Sequence, residues 1–208
     1  MTSFGNQTFY NCYLLPSVTL PSSVTVLGNQ TFSNCYNLSS ITLSNSLTTA
    51  GNQTFYYCYN LSSVTLPDSL TSLGHQSFYN CYNLKSANLP VALSSAGSAL
   101  FYTCSKLTDL TIASTALTSI PSQTFYACYS LTNLTIPKSV TSIGTSAFHA
   151  CYGMKEYHFA STVVPTLSST NAFNNIPVNC KIYVPSSQLN DYKTADNWLT
   201  FASYMVGE

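Results

Sequence analysis

The chain has 208 residues but only six lysines, no arginine and six acidic residues, so its formal net charge is zero. Without a basic surface the chain cannot hold a phosphate backbone, which excludes nucleic acid as a partner. Hydrophobic residues make up 45% of the sequence, enough for a folded core, and no run of about 18 apolar residues predicts a membrane span. Met1 is followed by polar Thr2 and Ser3, which is not the pattern of a signal peptide.

A repeat of about 23 residues organises almost the whole sequence. Seven cysteines mark it at a constant spacing, and only the interval between Cys104 and Cys128 is longer, by a single residue. A phenylalanine stands three positions before each of these cysteines, and apolar residues follow each cysteine three, six and eight positions later. The cysteines of the repeat are Cys12, Cys35, Cys58, Cys81, Cys104, Cys128 and Cys151.

Each repeat predicts one coil of a solenoid. In residues 63–66 polar and apolar side chains alternate, which is typical of a half-buried strand, and Pro67 then ends the strand. Leu70 and Leu73 predict a second extended side, while the Phe-x-x-Cys spacing predicts a short helical or 3₁₀ turn with both side chains inward. No coil can bury its apolar face alone, so the sequence predicts an α/β-type repeat solenoid of stacked coils.

A glycine stands seven positions before most of the cysteines, but Pro121 occupies this place in the coil with the extra residue. Because proline fixes φ near about −65°, the column cannot require a positive φ in every coil. Two explanations remain open: close backbone approach between coils, or a different chain path before Ile120. We favour the second explanation.

The segment from Leu131 to Cys151, Leu-Thr-Asn-Leu-Thr-Ile-Pro-Lys-Ser-Val-Thr-Ser-Ile-Gly-Thr-Ser-Ala-Phe-His-Ala-Cys, resembles the BspA-like class of bacterial leucine-rich repeats. The resemblance covers nearly the whole chain. It implies a right-handed superhelix with a parallel β-sheet on the concave side, short second strands or 3₁₀ turns on the convex side, and a C-terminal cap. It also implies an extracellular or cell-surface protein involved in adhesion or in contact with a host or matrix.

The end of the sequence departs from the repeat. Phe173 follows the pattern of the turn, but Ile176 stands where a cysteine is expected, and residues 181–185 predict a last strand that Pro185 closes. A solenoid needs a cap because a bare end coil exposes apolar surface and an unpaired sheet edge.

Residues 185–208 are predicted to form this cap. Ser186 or Ser187 is expected to cap a short helix, and Trp198 to pack on the final coil. We therefore expect residues 1–184 to form a solenoid of about seven coils and residues 185–208 a capping segment of the same domain. The sequence begins inside a coil, so either it is a fragment of a longer array, which we expect, or Thr2 to Tyr13 serves as a poor cap.

The cysteine column predicts packing rather than chemistry. Its members lie a whole repeat apart, unlike the short spacings of zinc ligands, and their parallel inward side chains are badly placed for disulfides. We expect a buried row of apolar thiols, with no metal and no cofactor. Cys180 lies outside this row, and the pattern assigns it no position.

Eleven of the 16 tyrosines occupy two columns that flank the inward phenylalanine and cysteine. We expect their rings to stack from coil to coil at the surface. Such rows either shield the turn or bind sugar rings or a partner protein, and the first interpretation is favoured. The columns are Tyr10, Tyr56, Tyr79, Tyr102 and Tyr126, and Tyr13, Tyr36, Tyr59, Tyr82, Tyr129 and Tyr152.

The outward positions of the concave strands are the candidate ligand-binding residues. They are mostly uncharged hydroxyl and amide side chains, which form either a solvated ladder with high strand propensity or a hydrogen-bonding surface for a glycan or protein. The candidates are Ser40, Thr42, Ser63, Thr65, Ser86, Asn88, Asp109, Thr111, Asn133, Thr135, Glu156 and His158.

Catalysis has little support in the sequence. The three histidines fall in different columns, and no phosphate loop, nucleophile elbow or pair of acids at a defined spacing occurs. The favoured function is a non-enzymatic binding or adhesion module, secreted or on the cell surface, for a protein or glycan of a host or matrix. The alternative is a structural spacer segment of a larger surface protein.

Overall fold

Each coil folds into two short strands, and the register of the repeat places the same strand of the next coil alongside in parallel. The result, in the computed structural model of residues 1–208, is a parallel-strand solenoid of about nine turns with little helix. The predicted leucine-rich-repeat architecture is confirmed. The turns outnumber the seven repeat cysteines because Ile176 and the strand Met205–Gly207 belong to turns that lack the cysteine pattern.

The longer strands form what we call the concave sheet, and the two-residue strands form the convex side. The concave strands are Ser17–Thr19, Ser40–Thr42, Ser86–Leu89, Asp109–Ile112, Asn133–Ile136, Glu156–Phe159, Lys181–Val184 and Met205–Gly207. The third coil adds only a single bridge, between Ser63 and Ser86. The convex strands are Ser3–Phe4, Val26–Leu27, Thr49–Ala50, Ser72–Leu73, Ser95–Ala96, Ser119–Ile120, Ser142–Ile143 and Thr166–Leu167.

The Phe-x-x-Cys segment is a tight turn rather than a helix in the repeated coils. The Cys58 N–H donates to the Phe55 carbonyl at 3.2 Å, and the chain enters and leaves the turn through left-handed residues, Gln53 at φ 58° and Tyr57 at φ 60°. Asparagine occupies the second of these positions in three of the coils with a repeat cysteine, as expected for a residue that tolerates this conformation. A 3₁₀ helix appears only in the last such turn, at Thr170–Phe173.

The glycine column is explained by close approach between coils. No glycine has a positive φ. A Cβ atom added to Gly97 would lie 2.2 Å from the backbone nitrogen of His75, and one added to Gly144 would lie 2.4 Å from that of Ser122. Close approach therefore accounts for the glycines. The different chain path that we favoured explains only the coil of Pro121, where the extra residue interrupts the convex sheet between Ser95–Ala96 and Ser119–Ile120.

The core is one continuous cluster that runs the length of the solenoid. Its phenylalanine rings stack face to face from Phe9 to Phe173, with centroids 5.0 to 5.7 Å apart. The repeat cysteines after the first coil are fully buried beside them, and all eight cysteines are free. The predicted inward orientation of phenylalanine and cysteine is confirmed.

The C-terminal residues cover the last coil. After the strand Lys181–Val184 come a 3₁₀ turn at Ser186–Gln188, a helix at Leu189–Thr194, a 3₁₀ helix at Leu199–Tyr204 and the edge strand Met205–Gly207.

Two details of this segment were predicted from the sequence. No side chain caps the helix, and Ser186 and Ser187 lie in the preceding 3₁₀ turn, so the predicted serine cap is wrong. Trp198 packs on the final coil as expected, edge to face with Phe159 at 5.2 Å. Its indole Nε1–H donates to the Pro165 carbonyl at 2.6 Å.

Candidate functional site

The twelve candidate residues lie in two columns along the outer face of the concave sheet. Strand register places Ser86 beside Asp109, Asn133 beside Glu156, and Thr135 beside His158. Most of these side chains are exposed, and Ser86, Asn88, Glu156 and His158 are half-buried. The columns therefore form one face, but the sheet beneath them is not continuous.

The concave sheet is divided at two places. No backbone hydrogen bond joins residues 40–43 to residues 63–66, and none joins residues 109–113 to residues 133–137. The apolar side chains of the preceding coil are only partly buried at these openings, namely Ile41 and Leu43 at the first, and Leu110 and Ile112 at the second.

Proline in the next coil removes one backbone donor at each opening, but proline alone does not open the sheet, since Glu156–Phe159 pairs with Lys181–Val184 although Pro185 follows that strand. In the fifth coil the residue that follows the strand, Ala113, donates to Leu89 at 2.9 Å. At the two openings this residue is Pro67 or Pro137, which has no N–H to donate. Pro90 occupies the same position after the strand Ser86–Leu89. The third and fourth coils are joined there only by the bridge of Ser63 to Ser86.

Asn88 compensates for the missing donor of Pro90. The Leu66 N–H donates to Asn88 Oδ1 at 2.7 Å, and Asn88 Nδ2 donates to the Leu66 carbonyl at 2.9 Å. This side chain therefore serves the backbone of the neighbouring coil, and its amide is not free to contact a ligand. From the repeat pattern Asn88 was expected to be an outward ligand-binding residue, and its bonds to Leu66 were not foreseen.

A cleft of about 270 Å³ lies at the first opening, on the concave face. Its lining contains no charged side chain, and four of the candidate residues take part in it. The lining residues are Ser40, Ile41, Thr42, Leu43, Asn45, Ser63, Thr65 and Pro67. A second cleft of about 250 Å³ follows along the same face, where Asp109 adds a carboxylate beside Ser86 and Asn88.

The titratable groups of the face gather at its C-terminal end. His158 lies between two carboxylates, with Nε2 3.3 Å from Glu156 Oε2 and Nδ1 3.1 Å from Glu208 Oε2. Its ring stacks on Tyr183 with centroids 4.7 Å apart. Glu208 and Tyr183 were missed by the sequence analysis, since no repeat position relates them to His158. No group of three or more His, Cys, Asp or Glu side chains is placed to hold a metal ion.

The two tyrosine columns form the predicted stacked rows at the surface, except that Ser33 separates Tyr10 from Tyr56 and leaves Tyr10 outside the first row. Tyr79, Tyr102, Tyr126 and then His149 stack with centroids 4.5 Å apart, a continuation by histidine that the sequence analysis missed. Ring faces in such rows are covered by their neighbours, so mainly edges and hydroxyl groups reach solvent.

The second tyrosine row is interrupted at Ser105. Tyr82 and Tyr129 flank this serine and are 39% and 45% exposed. Tyr57, in the left-handed conformation, bridges the two rows, with its ring centroid 4.1 Å from that of Tyr56 and 5.5 Å from that of Tyr59. Burial, followed by the neighbouring phenols, raises the pKa of Tyr56.

The buried thiols have no reactive partner. Each donates to the carbonyl of the phenylalanine 26 or 27 residues earlier, with Sγ to oxygen distances of 3.1 to 3.2 Å. Burial raises the pKa of Cys35 to about 12 and that of Cys151 to about 12. Cys180 is also buried, and burial raises its pKa to about 11. Thiolates are the nucleophilic form, so these cysteines are inert at neutral pH.

Comparison with known proteins identifies the repeat. The pattern of the BspA type leucine rich repeat region matches in 6 copies over residues 2–118 and 118–195. No curated protein sequence matches the chain at a significant level. No helix in the structure has both the length and the apolar character needed to cross a membrane.

Solved bacterial leucine-rich repeat structures share the fold. The leucine rich repeat protein TpLRR of T. pallidum is 27% identical with a TM-score of 0.69, over 74% of this chain and 72% of that chain. A leucine rich cell surface protein of Faecalibacterium prausnitzii A2-165 is 21% identical with a TM-score of 0.56, over 91% and 72%. The pneumococcal vaccine antigen PcpA is 17% identical with a TM-score of 0.54, over 100% and 69%.

The family match covers well over half of the chain, and the register of coils, the inward Phe-x-x-Cys turns and the parallel concave sheet all follow its repeat. The fold is that of a protein-interaction repeat module found in bacterial proteins. The chain belongs to the BspA type leucine-rich repeat family.

Proposed function

We propose that the protein is a non-enzymatic binding or adhesion module, secreted or displayed on a bacterial cell, that recognises a protein or glycan ligand of a host or matrix through its concave sheet. The observation that carries the proposal is the long outward row of hydroxyl and amide side chains, from Ser40 to Thr135, on one face of the solenoid, in which Asp109 is the single charged residue. Solenoids present such extended concave faces to their partners.

The surroundings of the face support binding rather than chemistry. The only close cluster of titratable side chains on it is His158 with Glu156 and Glu208, where both ring nitrogens already contact carboxylates. Seven of the eight cysteines are buried, and burial raises the pKa of thiols such as Cys58, which disfavours the nucleophilic thiolate. An extracellular location is supported by the family and by the relative described as a cell surface protein.

The proposal is tested by placing charge on the face. Glycan arrays and pull-down experiments compare the wild type with a variant in which four exposed residues of the concave face, whose side chains make no hydrogen bond, are changed together to lysine: Thr42, Ser63, Thr65 and Thr111. We expect every detected ligand to bind this variant at least about tenfold more weakly, because the four ammonium groups would have to be desolvated beneath the ligand. Unchanged affinity would refute the concave site.

A matched control carries the same added charge elsewhere. It changes to lysine four exposed residues that lie outside the concave sheet and whose side chains make no hydrogen bond, namely Thr145, Val178, Ser187 and Leu199. We expect this control to keep the affinity of the wild type. An equal loss in both variants would mean that net charge, rather than the concave face, governs binding.

The alternative is a spacer that holds another domain away from the cell envelope. Its supporting observation is the near-identical stacking geometry of successive coils, since a spacer needs no chemistry at particular positions. If the chain is a spacer, ligands are bound by a neighbouring domain, and the concave lysine variant of the larger protein should bind them as well as the wild type does. Removing coils should then reduce adhesion whichever coils are removed, because the length of the spacer would matter and its individual residues would not.

A further inference from the structure

The interruption of the second tyrosine row at Ser105 leaves two aromatic rings facing each other. On one side of it Tyr82 stacks on Tyr59, with ring centroids 5.3 Å apart and an interplanar angle of 7°. On the other side Tyr129 stacks on Tyr152, at 5.5 Å and 8°. Each of the two flanking tyrosines therefore has one ring face covered by its row neighbour and the other face turned toward Ser105. We call the space between the open faces of Tyr82 and Tyr129 the ring slot.

The width of the ring slot matches one aromatic ring. Coils lie about 4.8 Å apart, so Tyr82 and Tyr129, which are two coils apart, are separated by about 10 Å. A ring placed midway would lie about 5 Å from each tyrosine, within the range of about 4.5–7 Å in which aromatic pairs attract each other. Two rings would not fit, because their spacing would fall to about 3 Å. In every other coil of the repeat, from Tyr13 to Tyr152, a tyrosine fills this position.

The exposure of the flanking rings shows that the ring slot is open to solvent. Tyr82 and Tyr129 are 39% and 45% exposed, whereas Tyr36 and Tyr59, which have a ring on both sides, are half-buried. The first tyrosine row is also interrupted, at Ser33, but this serine is only 1% exposed, so that interruption is closed. Of the two interruptions, only the one in the second row admits a further ring.

Hydroxyl groups at the base of the ring slot favour particular aromatic side chains. Ser105 is half-buried, and Thr103 occupies the position at which Tyr57 bridges the two tyrosine rows in the third coil. Neither Ser105 nor Thr103 makes a side-chain hydrogen bond within the protein. Their hydroxyl groups can both donate and accept. Tyrosine and tryptophan combine a large ring with a polar group, so they fit this base better than phenylalanine does.

A lysine beside the ring slot has no acidic partner. Lys106 follows Ser105 directly and is exposed, and its ammonium donates to Asn83 Oδ1 at 2.7 Å. Because Asn83 is the residue after Tyr82, the positive charge lies on the Tyr82 side of the slot. The ion pairs of the protein all involve His158, so Lys106 makes none. An ammonium group has three donors, and the remaining two favour a carboxylate next to the inserted ring.

These features fit a protein side chain better than a sugar. Both walls of the ring slot are faces of phenol rings, which offer no hydrogen-bond partner to the hydroxyl groups around a sugar ring, and a polar group buried without a partner costs free energy. Tyrosine and tryptophan are the side chains that most often anchor protein interfaces, in pockets that exclude water. The fold is that of a protein-interaction repeat module.

We propose that the ring slot binds one tyrosine or tryptophan side chain of a partner protein, with its ring stacked between Tyr82 and Tyr129 and a neighbouring acidic residue in contact with Lys106. The slot is formed by residues that flank the Phe-x-x-Cys turns and lies outside the concave sheet. It is therefore a second interaction surface, beyond the proposed function. A single anchor buries little surface, so we expect millimolar affinity for a short peptide that contains it.

The experiment titrates the full chain with three tripeptides that are acetylated and amidated at their ends: Asp-Trp-Asp, Asp-Leu-Asp and Lys-Trp-Lys. Binding is followed by the NMR chemical shifts of both molecules. Ser105→Tyr fills the ring slot with the protein's own ring and is expected to raise stability, so a loss of binding in this variant is not a loss of folding. Its matched control is Ser187→Tyr, the same change at an exposed residue of the C-terminal segment.

A second pair of variants tests the walls of the ring slot. Tyr129→Leu removes one wall, whereas Tyr152→Leu removes the last ring of the same row and leaves both walls in place. We expect Asp-Trp-Asp to bind the wild type, Ser187→Tyr and Tyr152→Leu alike. Its indole protons should shift upfield, because ring currents then act on both faces of the indole.

The variants of the ring slot should bind more weakly. We expect Ser105→Tyr and Tyr129→Leu to lose at least about tenfold in affinity for Asp-Trp-Asp, and Asp-Leu-Asp to bind the wild type at least about tenfold more weakly. Lys-Trp-Lys should bind about threefold more weakly than Asp-Trp-Asp, as expected for one exposed ion pair, and Lys106→Gln should remove this difference.

Several results would overturn the proposal: no saturable binding of Asp-Trp-Asp up to about 50 mM, equal binding of the tryptophan and leucine peptides, or full binding by Ser105→Tyr. Glucose is titrated in parallel, and glucose binding that Ser105→Tyr abolishes, without peptide binding, would mean that the slot takes a sugar ring instead. The concave lysine variant should bind Asp-Trp-Asp as well as the wild type does, so failure of the ring slot is distinguishable from failure of the concave site.

Discussion

The carboxamide of Asn88 replaces a strand-to-strand hydrogen bond with the backbone of Leu66, at 2.7 Å to its nitrogen and 2.9 Å to its carbonyl oxygen. It joins two coils at a point where Pro90 cannot donate. The relationship shows how a polar side chain on a candidate ligand face can instead hold the solenoid together.

We predict that Asn88→Ala lowers the free energy of unfolding by about 1–3 kcal/mol, because two half-buried backbone groups lose their partners. Urea denaturation measures the change. The control is Asn133→Ala, in a neighbouring column of the same face, whose side chain makes only a 3.4 Å contact with Thr132. It should change stability by less than about 0.5 kcal/mol. Equal effects of the two substitutions would contradict the structural role of Asn88.

We predict that the buried thiols lower the free energy of unfolding in alkaline solution. The pKa of an unfolded cysteine is about 8.5, whereas burial raises the pKa of Cys35 and Cys151 to about 12 in the folded protein. Above about pH 9 the unfolded chain therefore binds fewer protons than the folded one, and the free energy of unfolding falls as the pH rises toward 12. Each buried thiol contributes about 1.4 kcal/mol per pH unit to this slope.

Urea denaturation between about pH 8 and pH 10.5 measures the slope, and Cys81→Ala should make it shallower by the contribution of one thiol. Alkylation of the native protein gives an independent measurement. Cys12, the one partly exposed cysteine, should react, and Cys58 and Cys81 should react only after unfolding. Ready labelling of these two residues in the native protein would mean that the coils are wound with the opposite face inward.

The glycine column predicts a large difference between two alanine substitutions. Gly97→Ala places a Cβ atom 2.2 Å from the His75 backbone nitrogen, so adjacent coils must separate, and we expect a loss of at least about 2 kcal/mol in the free energy of unfolding. Gly5→Ala is the matched control, because nothing lies within 4 Å of its added Cβ. Thermal denaturation compares the two variants, and a neutral Gly97→Ala would refute close approach as the reason for glycine.

The gap in the second tyrosine row predicts a stabilising substitution. Coils lie about 4.8 Å apart, so Tyr82 and Tyr129, two coils apart, have room for one ring between them. Ser105→Tyr should complete the row and raise the free energy of unfolding by about 0.5–1.5 kcal/mol, measured by denaturation in urea. Tyr59→Ser, which removes a ring from the same row, should have the opposite sign. If Ser105→Tyr destabilises the protein, the rows do not contribute by stacking.

We predict that Trp198 accounts for a large contribution of the C-terminal cap to the stability of the protein. Trp198→Ala should lower the free energy of unfolding by about 3–5 kcal/mol, because it leaves a cavity against Phe159 and Phe173. Trp198→Phe keeps an aromatic ring but loses the hydrogen bond to the Pro165 carbonyl, and should cost less than the alanine variant. Calorimetry compares them. Equal losses would show that the hydrogen bond, rather than packing, holds the cap.

The effect of proline on the concave sheet can be inferred from the sequence only when the register between neighbouring coils is known. Pro137 ends the strand Asn133–Ile136, whereas the strand predicted before Pro67 is wrong, because residues 63–66 form only the bridge of Ser63 to Ser86. Their effect on the preceding coil was missed, although the signal was present. The N–H that proline lacks would serve a carbonyl of the preceding coil, so the consequence appears only when the coils are aligned in parallel.

The solenoid, the inward phenylalanines and cysteines, the stacked tyrosines and the outward columns could all be predicted from the residues alone. Each is a local pattern that recurs in every coil, and every copy has the same neighbours. Features that differ from one coil to the next required the three-dimensional arrangement. There are three such features: the hydrogen bonds of Asn88 to Leu66, the open cleft at Leu43 and the contact of His158 with Glu208. These features arise from differences between coils, and a hydrogen bond depends on where both of its atoms lie in space.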